Sequence, residues 1–486
     1  MEQFKKGLSF ISINKVIIMV FSSSVFLFIF LPITLIGYFI IRKELKNIFI
    51  LCMSLIFYTW GEPKVVILMI ISSFLNYSYA LLLNYMKIHM KQMTKIIVAI
   101  AVLTNIGILF YYKYYDFTVI NINRIFRTNL TIKQIALPIG ISFFTFQGMS
   151  YVLDVFMEKA EVQKNPFHVL LYISLFPQLI AGPIVRYSDI NHQIENRAES
   201  LEKIASGISR FIIGLSKKVL ISNSFAVLAD NIFNSDPLKL SVLTTWIGTI
   251  FYAVQIYYDF SGYSDMAIGL GKILGFDFLE NFNYPYISKS ITEFWKRWHI
   301  SLSSWFRDYI YIPLGGNRKG NVYFNLFIVF LITGIWHGAS WNFIFWGIWH
   351  GIFILIERAK KLHSGKTKIP FGWCYTMFIV LIGWVFFRCP NMSEALKFIR
   401  SMFGLNKNTF FDTQTFFIMK ESIILFIIAS IGSTPIMKIL KTKSQEYVLP
   451  KYILTATRSF VLGGLLVICV SYIINNSYNP FIYFNF

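Results

Sequence analysis

Long apolar runs recur along this chain, and they constrain its fold more than any other feature of the sequence. Hydrophobic residues make up 56% of the 486 residues and charged residues only 14%, whereas soluble domains carry about 25% charged residues. Runs of roughly 17–25 apolar residues are long enough to cross a bilayer as helices. The sequence therefore predicts an all-α integral membrane protein with about ten to twelve transmembrane or re-entrant helices.

The candidate spans are separated by short polar or basic loops. They lie near 19–41, 48–60, 65–86, 95–112, 134–156, 166–182, 203–226, 241–271, 321–338, 340–357, 371–388, 421–439 and 456–477. Several are short or interrupted by Gly and Pro, which favours re-entrant segments for some of them. No fixed-period repeat or low-complexity linker divides the chain. We therefore expect one multi-pass membrane domain over 19–486, preceded by an N-terminal extension over 1–18.

The net charge of +21 is spread over loops instead of being concentrated on one soluble face. Basic clusters at 87–95, 358–368 and 438–443 lie between apolar runs. Such loops follow the positive-inside rule, by which Lys and Arg stay on the cytoplasmic side. They also attract anionic lipid headgroups. We expect membrane lipids, and not nucleic acid, as the partners of these charges.

Two histidines occupy unusual positions for a chain of this composition. His337 lies in Thr333-Gly-Ile-Trp-His-Gly-Ala-Ser-Trp341, and His299 lies in Glu293-Phe-Trp-Lys-Arg-Trp-His-Ile-Ser-Leu-Ser-Ser-Trp305. An ionisable side chain inside a membrane is costly and marks a candidate functional site, and imidazole changes charge near neutral pH. A core histidine bonded to a neighbouring helix is the alternative. We interpret His350 as structural or secondary, because 13 residues at 100° each place it off the His337 face.

Small residues and tryptophans surround His337. Gly334 and Gly338 are four residues apart, as are Gly347 and Gly351, so each pair opens one helix face to close backbone approach. Two tryptophans flank the histidine and are candidates for lining a substrate tunnel: Trp336 and Trp341.

The polar interval at about 276–320 differs from an ordinary loop. Asn281-Phe-Asn-Tyr-Pro-Tyr286 is a turn signal. Ser290-Ile-Thr-Glu293 has the form of a capping box, which predicts a helix that starts there and ends at Pro313-Leu-Gly-Gly-Asn317. A basic, Trp-rich amphipathic helix normally lies in the interfacial plane of the membrane. Its candidate substrate-contacting residues are Trp298, Arg297 and Arg307.

A third polar patch interrupts an apolar run at Gln255-Ile-Tyr-Tyr-Asp-Phe-Ser-Gly-Tyr-Ser-Asp265. Asp259 and Asp265 are expensive against lipid, so we expect them, with Ser261, to face a cavity, a helix end or a cationic partner. The basic residues available as partners are Arg186, Arg297 and Arg307.

Several common catalytic motifs are missing from the sequence. It contains no G-x-S-x-G nucleophile elbow, no G-x-x-x-x-G-K phosphate loop and no His, Cys, Asp or Glu spacing typical of a zinc site. The sequence therefore disfavours covalent serine catalysis, ATP hydrolysis and metal-dependent hydrolysis, and we expect no metal site.

At these motifs the chain resembles the membrane-bound O-acyltransferase (MBOAT) family, in its bacterial alginate and peptidoglycan O-acetyltransferase branch. The resemblance rests on a signature segment at 281–351 that holds both histidine motifs, and on matching segments elsewhere. These are Val20-Phe-Ser-Ser24, Phe176-Pro-Gln-Leu-Ile-Ala-Gly-Pro183, the patch at 258–265 and Asn479-Pro-Phe-Ile-Tyr-Phe484. The likeness covers nearly the whole chain from about residue 20.

The resemblance implies a ring of helices around a central tunnel, in a multi-pass protein of the bacterial cytoplasmic membrane. It implies that His337 is catalytic and that His299 is the second active-site residue. The implied reaction moves an acetyl group from a cytoplasmic thioester, acetyl-CoA or an acyl carrier protein, to a hydroxyl across the membrane. The implied partner is an extracytoplasmic acetyltransferase of the serine-hydrolase-like SGNH type, and no bound cofactor is implied.

An alcohol is a poor nucleophile at neutral pH, so a positioned base helps it by about 10²–10⁴-fold. We expect His337 to be that base and His299 to orient the acceptor or steady an oxyanion. The alternatives are D-alanyl transfer to teichoic acid within the same family, a transporter or flippase that uses the histidines as a proton relay, and a membrane scaffold without activity.

Overall fold

The protein, seen in a computed structural model, is described over residues 19–362, 370–439, 451–475 and 478–482, without the side chains of 451–455. The predicted N-terminal extension at 1–18 lies outside the described residues. Within these ranges the ordered elements are helices, and they include no β-strand. The all-α prediction is confirmed.

The α-helices are numbered here in chain order. The first group is α1 (Leu31–Ile40), α2 (Lys46–Gly61), α3 (Val65–His89), α4 (Thr94–Leu109), α5 (Tyr115–Phe126), α6 (Ile141–Phe156), α7 (Pro166–Ser174), α8 (Phe176–Leu179), α9 (Tyr187–Glu195) and α10 (Leu201–Ser216). The second group is α11 (Asn223–Phe233), α12 (Val242–Ile273), α13 (Ile291–Arg297), α14 (Ile300–Phe306), α15 (Val322–His337), α16 (Trp341–Ala359), α17 (Gly372–Arg388), α18 (Met392–Met402), α19 (Thr413–Gly432) and α20 (Lys451–Asn475).

Short helices of other pitch complete the described chain. Turns of π-helix lie at Phe26–Phe30, Phe110–Tyr114, Lys217–Ser222 and Arg307–Tyr311, and turns of 3₁₀-helix at Lys43–Leu45, Lys91–Met93, Pro237–Lys239 and Pro285–Ile287. A π-turn widens a helix locally and is frequent at functional sites.

Five described helical segments are long and apolar enough to cross a membrane: Val65–His89, Lys91–Phe126, Leu201–Phe233, Thr413–Gly432 and Ala456–Asn475. Three shorter apolar helices are Phe26–Ile40, Val322–His337 and Gly372–Arg388. Other predicted spans, such as those that became α6 and α12, bury most of their side chains inside the protein. The chain is therefore a multi-pass membrane protein whose interior helices are enclosed by lipid-facing ones.

The long helix α12 joins two helix groups. Its first part, with Phe251 and Phe260, packs into a core formed mainly by α11, α13 and α16–α18. Its last part, with Tyr263 and Leu270, packs into a core formed mainly by α1–α4 and α6–α9. Away from α12, a third core closes the two groups on each other, where the indole of Trp305 stacks on Phe146 with ring centroids 3.9 Å apart. The helices thus enclose a central region from two sides.

The polar interval near 290 forms two helices where the sequence predicts one. Its predicted start is confirmed, since the Ser290 hydroxyl accepts a hydrogen bond from the Glu293 backbone N–H. The helix stops at Arg297, and a new one starts at Ile300. Between them His299 has a left-handed backbone with φ of 45°, which costs a non-glycine residue about 1–2 kcal/mol. The break turns His299 inward, and strain of this kind is typical of functional positions.

The predicted close approach of backbones is confirmed between α15 and α16. A Cβ atom added to Gly334 would lie 2.5 Å from the Phe343 carbonyl oxygen and 3.1 Å from Gly347 Cα. Only glycine permits this contact. The resulting hairpin fixes the position of His337, which is the last residue of α15.

The helix bundle has two distinct ends. At one, the Tyr38 hydroxyl donates to the Leu274 carbonyl (2.9 Å) and Lys46 pairs with Glu199 (2.6 Å). The directions of the helices place most lysines and arginines of the loops and helix ends here. They are Arg42, Lys43, Lys46, Lys87, Lys91, Lys95, Lys159, Lys164, Arg186, Arg197, Lys203, Lys289, Lys296, Arg297, Arg307, Arg318, Lys319, Arg358, Lys360, Lys361 and Lys438. We call it the basic end. At the other, the Trp341 indole donates to Asn121 (3.0 Å), and a cavity opens there, so we call it the cavity end.

Candidate active site

His337 lies at the C-terminal end of α15, where the chain leaves the helix through Gly338 in an extended conformation. Its side chain is buried, with 5% exposed. Three aromatic rings meet the imidazole edge to face: Trp336 at 5.0 Å, Trp346 at 4.9 Å and Phe387 at 5.1 Å between centroids. The helix end and the three rings define the orientation of this imidazole.

His299 is held from the opposite side of the central region. Its Nδ1 lies 3.1 Å from Asn281 Oδ1. The same oxygen accepts hydrogen bonds from the Ser301 backbone N–H (3.2 Å) and the Ser301 hydroxyl (2.8 Å), while Asn281 Nδ2 donates to the Ser264 hydroxyl (2.9 Å). All of these side chains are buried.

This network determines which nitrogen of His299 carries the proton. A backbone N–H can only donate, so the amide atom that faces Ser301 must be the carbonyl oxygen of Asn281. His299 Nδ1 must then donate to that oxygen, and Nε2 of the neutral ring carries a lone pair. A lone pair can accept from a hydroxyl, but it cannot donate to an oxyanion. The sequence leaves two roles open for His299, orienting the acceptor hydroxyl or stabilising an oxyanion. The geometry favours the first.

The Asn281→Ala variant is expected to lower acyl transfer by about 10²-fold, because it frees His299 to turn away from its productive orientation. Asn281→Asp keeps an acceptor for Nδ1 and should retain more activity than the alanine variant. The measurement is the rate of thioester cleavage per milligram of purified, monodisperse protein.

Asn105→Ala is the matched control for this variant. Asn105 is also buried, and it exchanges two side-chain hydrogen bonds with Asn76 far from the histidines. It should lower stability and leave the rate per folded molecule near wild type. A normal rate in Asn281→Ala would refute the positioning role.

An aromatic cluster connects the two histidines. Trp298 stacks on Phe294 (5.6 Å) and contacts Trp384 (4.9 Å), and Trp384 contacts Phe387 (5.5 Å) beside His337. Phe387 in turn meets the His337 ring with centroids 5.1 Å apart. The structure thus brings together four of the predicted site residues: His299, His337, Trp298 and Trp336.

A cavity of about 740 Å³ opens at the cavity end and reaches the turn that follows His337. Its wall includes Gly338, Ser340 and Phe387 around the histidine, and Lys113 farther along. A second, much smaller cavity of about 30 Å³ is lined by His337 itself, Lys113 and Trp336. The larger cavity thus reaches the residue after His337, and the imidazole itself lines the smaller one. His299 lines neither of these two cavities.

Trp341 is placed differently from its sequence prediction. It starts α16 with 55% of its surface exposed, its indole packs on Phe117 (5.8 Å), and its Nε1 donates to Asn121. It does not line either of the cavities at His337. The break at Gly338 turns this indole outward, which the linear motif does not reveal.

Both aspartates of the polar patch have the expected cationic partners, but these are not the three arginines named as available in the sequence. Asp259 pairs with Lys218 (2.7 Å), and Asp265 pairs with Lys217 (2.7 Å) and Arg210 (2.8 Å). The two lysines are adjacent in the π-turn that continues α10. The three arginines proposed as partners bond elsewhere: Arg186 to Asp189 and Asp308, Arg297 to Glu293, and Arg307 to Asp308.

These pairs also separate the polar patch from the charged helix end. Asp265, Arg297 and Arg307 lie toward the basic end, where each pairs with another charged side chain, and Arg307 is 60% exposed. Ser261 is buried, and its hydroxyl has no hydrogen-bond partner among the residues that the structure describes. Asp259 accepts a hydrogen bond from the backbone N–H of Ile482 (3.0 Å), a residue of the cavity wall.

His350 is nearer to His337 than the angular argument indicates. The rotation of 100° per residue holds only within one continuous helix, whereas the chain turns between α15 and α16. His350 is fully buried on α16, and its ring lies 5.1 Å from Trp346, the same indole that contacts His337. It packs beside the aromatic cluster. Gly383 lies so close to it that an added Cβ atom would be 2.7 Å from His350 Nε2.

Several residues of the site have no clear signal in the sequence. They come from a π-turn, two α-helices and one loop: Lys113, Trp346, Trp384, Phe387 and Asn281. The run Gly383-Trp-Val-Phe-Phe-Arg-Cys-Pro390, with its tryptophan and charged end inside an apolar stretch, is the one pattern that points to some of them. No group of three His, Cys, Asp or Glu side chains that could hold a metal ion occurs in the described ranges.

Comparison with known proteins agrees with this geometry. Residues 55–393 match the membrane-bound O-acyltransferase family. The chain is 42% identical to the "Probable alginate O-acetylase AlgI" of Pseudomonas putida, over 79% of this chain and 80% of the relative. It is 38% identical to the peptidoglycan O-acetyltransferase of Helicobacter pylori, over 82% of each chain.

A more distant likeness links the chain to teichoic acid D-alanyltransferase of Bacillus subtilis, at 32% identity over 42% of this chain and 55% of the relative. The family match spans α3–α17 entirely, and it includes both histidines, the hairpin that presents His337 and the aromatic cluster between them. The chain belongs to the membrane-bound O-acyltransferase family.

Proposed function

We propose that this O-acyltransferase moves an acetyl group from a cytoplasmic thioester to a hydroxyl on the far side of the bacterial cytoplasmic membrane, for O-acetylation of a cell-surface polysaccharide. The observation that carries the proposal is the position of His337, a buried imidazole one residue before Gly338, which lies in the wall of a cavity that opens away from the basic loops. The positive-inside rule assigns those loops to the cytoplasm, so the cavity opens outward.

The chemistry follows from this arrangement. The acceptor hydroxyl enters through the cavity and is oriented by the Nε2 lone pair of His299. His337 takes the hydroxyl proton as the oxygen attacks the thioester carbonyl. An ester C–O bond forms, the C–S bond breaks, and the proton passes from His337 to the departing thiolate. A thiolate leaves readily, so a positioned base supplies the main chemical assistance that the reaction requires.

The acetyl group is favoured over D-alanine by the extent of similarity. The relatives named for O-acetylation match this chain over about four fifths of its length, and the D-alanyltransferase matches less than half. The donor we propose is acetyl-CoA or an acetylated acyl carrier protein. The hydroxyl that receives the acetyl group belongs to the polysaccharide or to an SGNH-type acetyltransferase outside the membrane, and lipids surround the helices.

The test is thioester cleavage by the purified protein in proteoliposomes. Acetyl-CoA, an acetylated carrier protein and a D-alanylated carrier protein are supplied separately, and free thiol is measured with and without a hydroxyl acceptor. We expect acetyl thioester cleavage that an acceptor accelerates. Preferential use of the D-alanyl thioester would replace the acetyl assignment with D-alanyl transfer, and no cleavage of any thioester would refute the proposal.

A further inference from the structure

A π-turn in a neighbouring helix holds the end of the helix that carries His337. The turn Phe110–Tyr114 joins α4 to α5. Its Lys113 Nζ donates to the Trp336 carbonyl at 2.6 Å, and its Tyr114 hydroxyl donates to the Ile335 carbonyl at 2.7 Å. Both carbonyls belong to the last turn of α15, where an α-helix leaves its carbonyl groups without partners of its own.

The amino group of Lys113 also lies in the wall of the small cavity beside His337. Its ammonium lies 3.3 Å from the Ser142 hydroxyl and 5.7 Å from the centre of the Trp336 ring. Lys113 lines both cavities, and His337 lines the smaller of them. The C-terminal end of a helix carries partial negative charge, so an ammonium is favourable at this place. Deep in an apolar protein, such a charge is a candidate functional group.

We propose that Lys113 is a positioning residue for acyl transfer, with Tyr114 as its auxiliary: together they fix the last turn of α15 and hence the imidazole of His337. The proposal rests on the proposed function, since it assigns a role relative to the base of that reaction. The two bonds act on consecutive backbone carbonyls immediately before His337, so their loss releases the residue that the mechanism needs to be fixed.

The expected effect is large because the barrier depends on geometry. A displacement of about 1 Å at a reacting group can cost about 10²-fold in rate. This effect acts on kcat, whereas it creates no contact that binds the thioester donor in its ground state.

The experiment compares four variants of the full-length protein in proteoliposomes. Lys113→Met removes the bond and the charge at similar length, Lys113→Arg keeps both, and Tyr114→Phe removes one uncharged bond to the same helix end. Lys87→Met is the matched control, because Lys87 also donates to a carbonyl near a helix C-terminus, that of Val155 in α6 (2.6 Å), remote from the histidines.

We expect Lys113→Met to lower kcat by about 10²-fold with little change in KM, Lys113→Arg to recover most of the loss, and Tyr114→Phe to show a smaller decrease. Lys87→Met should keep wild-type kcat. Wild-type kcat in Lys113→Met, or an equal loss in Lys87→Met, would overturn the proposal.

A second measurement does not depend on acyl transfer. A cryo-electron microscopy structure of Lys113→Met should show the last turn of α15 displaced and the His337 ring reoriented relative to wild type. An unchanged α15 end would overturn the positioning role. A wild-type protein that cleaves no thioester would instead refute the proposed function, and this structural comparison would still decide whether Lys113 positions His337.

Discussion

His337→Ala is expected to abolish acyl transfer while the protein remains folded in the membrane. A positioned base contributes about 10²–10⁴-fold to such a reaction, and the variant loses all of it. His337→Gln, which keeps a polar side chain of similar size but has no basic nitrogen, should be equally inactive. The readout is thiol release from the acetyl thioester that wild type cleaves.

Folding should survive this substitution because the end of α15 is held by its backbone. The bonds from Lys113 and Tyr114 reach carbonyl oxygens of Trp336 and Ile335, and these remain in the variant. The Gly334–Gly347 contact also remains. Yield in the membrane fraction and the thermal midpoint in detergent measure this part of the prediction.

His350→Leu is the matched control for the catalytic assignment. It removes another buried imidazole from the same aromatic cluster, one helix farther along the chain. We expect activity within a few-fold of wild type, because His350 has no role in the proposed proton transfer. Wild-type levels of polysaccharide O-acetylation or thioester cleavage in His337→Ala would refute the assignment of His337 as the base.

Asp259→Asn is expected to cause a large loss of stability, greater than that of Asp265→Asn on the same helix. Asp259 and Lys218 are both about 1% exposed and 2.7 Å apart. Removing one member of a buried ion pair leaves the other charge uncompensated, at a cost of about 3–5 kcal/mol in the free energy of unfolding. Lys218 also donates to the Pro480 carbonyl, and Asp259 accepts from Ile482. The variant should therefore loosen the 478–482 segment and widen the cavity that it lines.

Asp265→Asn provides the matched control on the same helix. Asp265 pairs with Lys217 next to Lys218, but its side chain is 16% exposed and it has a second cationic partner. Its loss should lower the thermal midpoint less. The double variant Lys218→Met with Asp259→Leu should recover part of the stability lost in Asp259→Asn, because it buries no unpaired charge. Equal midpoints for Asp259→Asn and wild type would contradict the buried-pair interpretation.

Local sequence patterns predicted the parts of the site that depend on a few adjacent residues. The Ser290 cap, the glycine contact between α15 and α16 and the burial of both histidine motifs follow from short motifs with defined geometry. The break at His299 does not, because a left-handed residue between two helices is imposed by the Asn281 network and not by its own preference.

Local sequence patterns also do not predict which charged residues pair with each other. Lys217 and Lys218 are neighbours in sequence, and each reaches a different aspartate on α12. A π-turn sets these directions, and no spacing rule reveals where the ordinary helical period is interrupted. Lys113 has no signal in the sequence for the same reason, since it lies in another π-turn and binds the Trp336 carbonyl from more than 200 residues away in the chain.

The aromatic shell of His337 also gives the protein an intrinsic optical reporter. Indole fluorescence is quenched by a charged imidazole in contact with it, and the Trp336 and Trp346 rings lie 5.0 and 4.9 Å from this one. Each proton that His337 accepts should dim these two emitters. Subtracting the spectrum of His337→Gln removes the signal of the other tryptophans among the 11 in the chain. Proton arrival at the centre of the molecule thereby becomes visible in unlabelled protein.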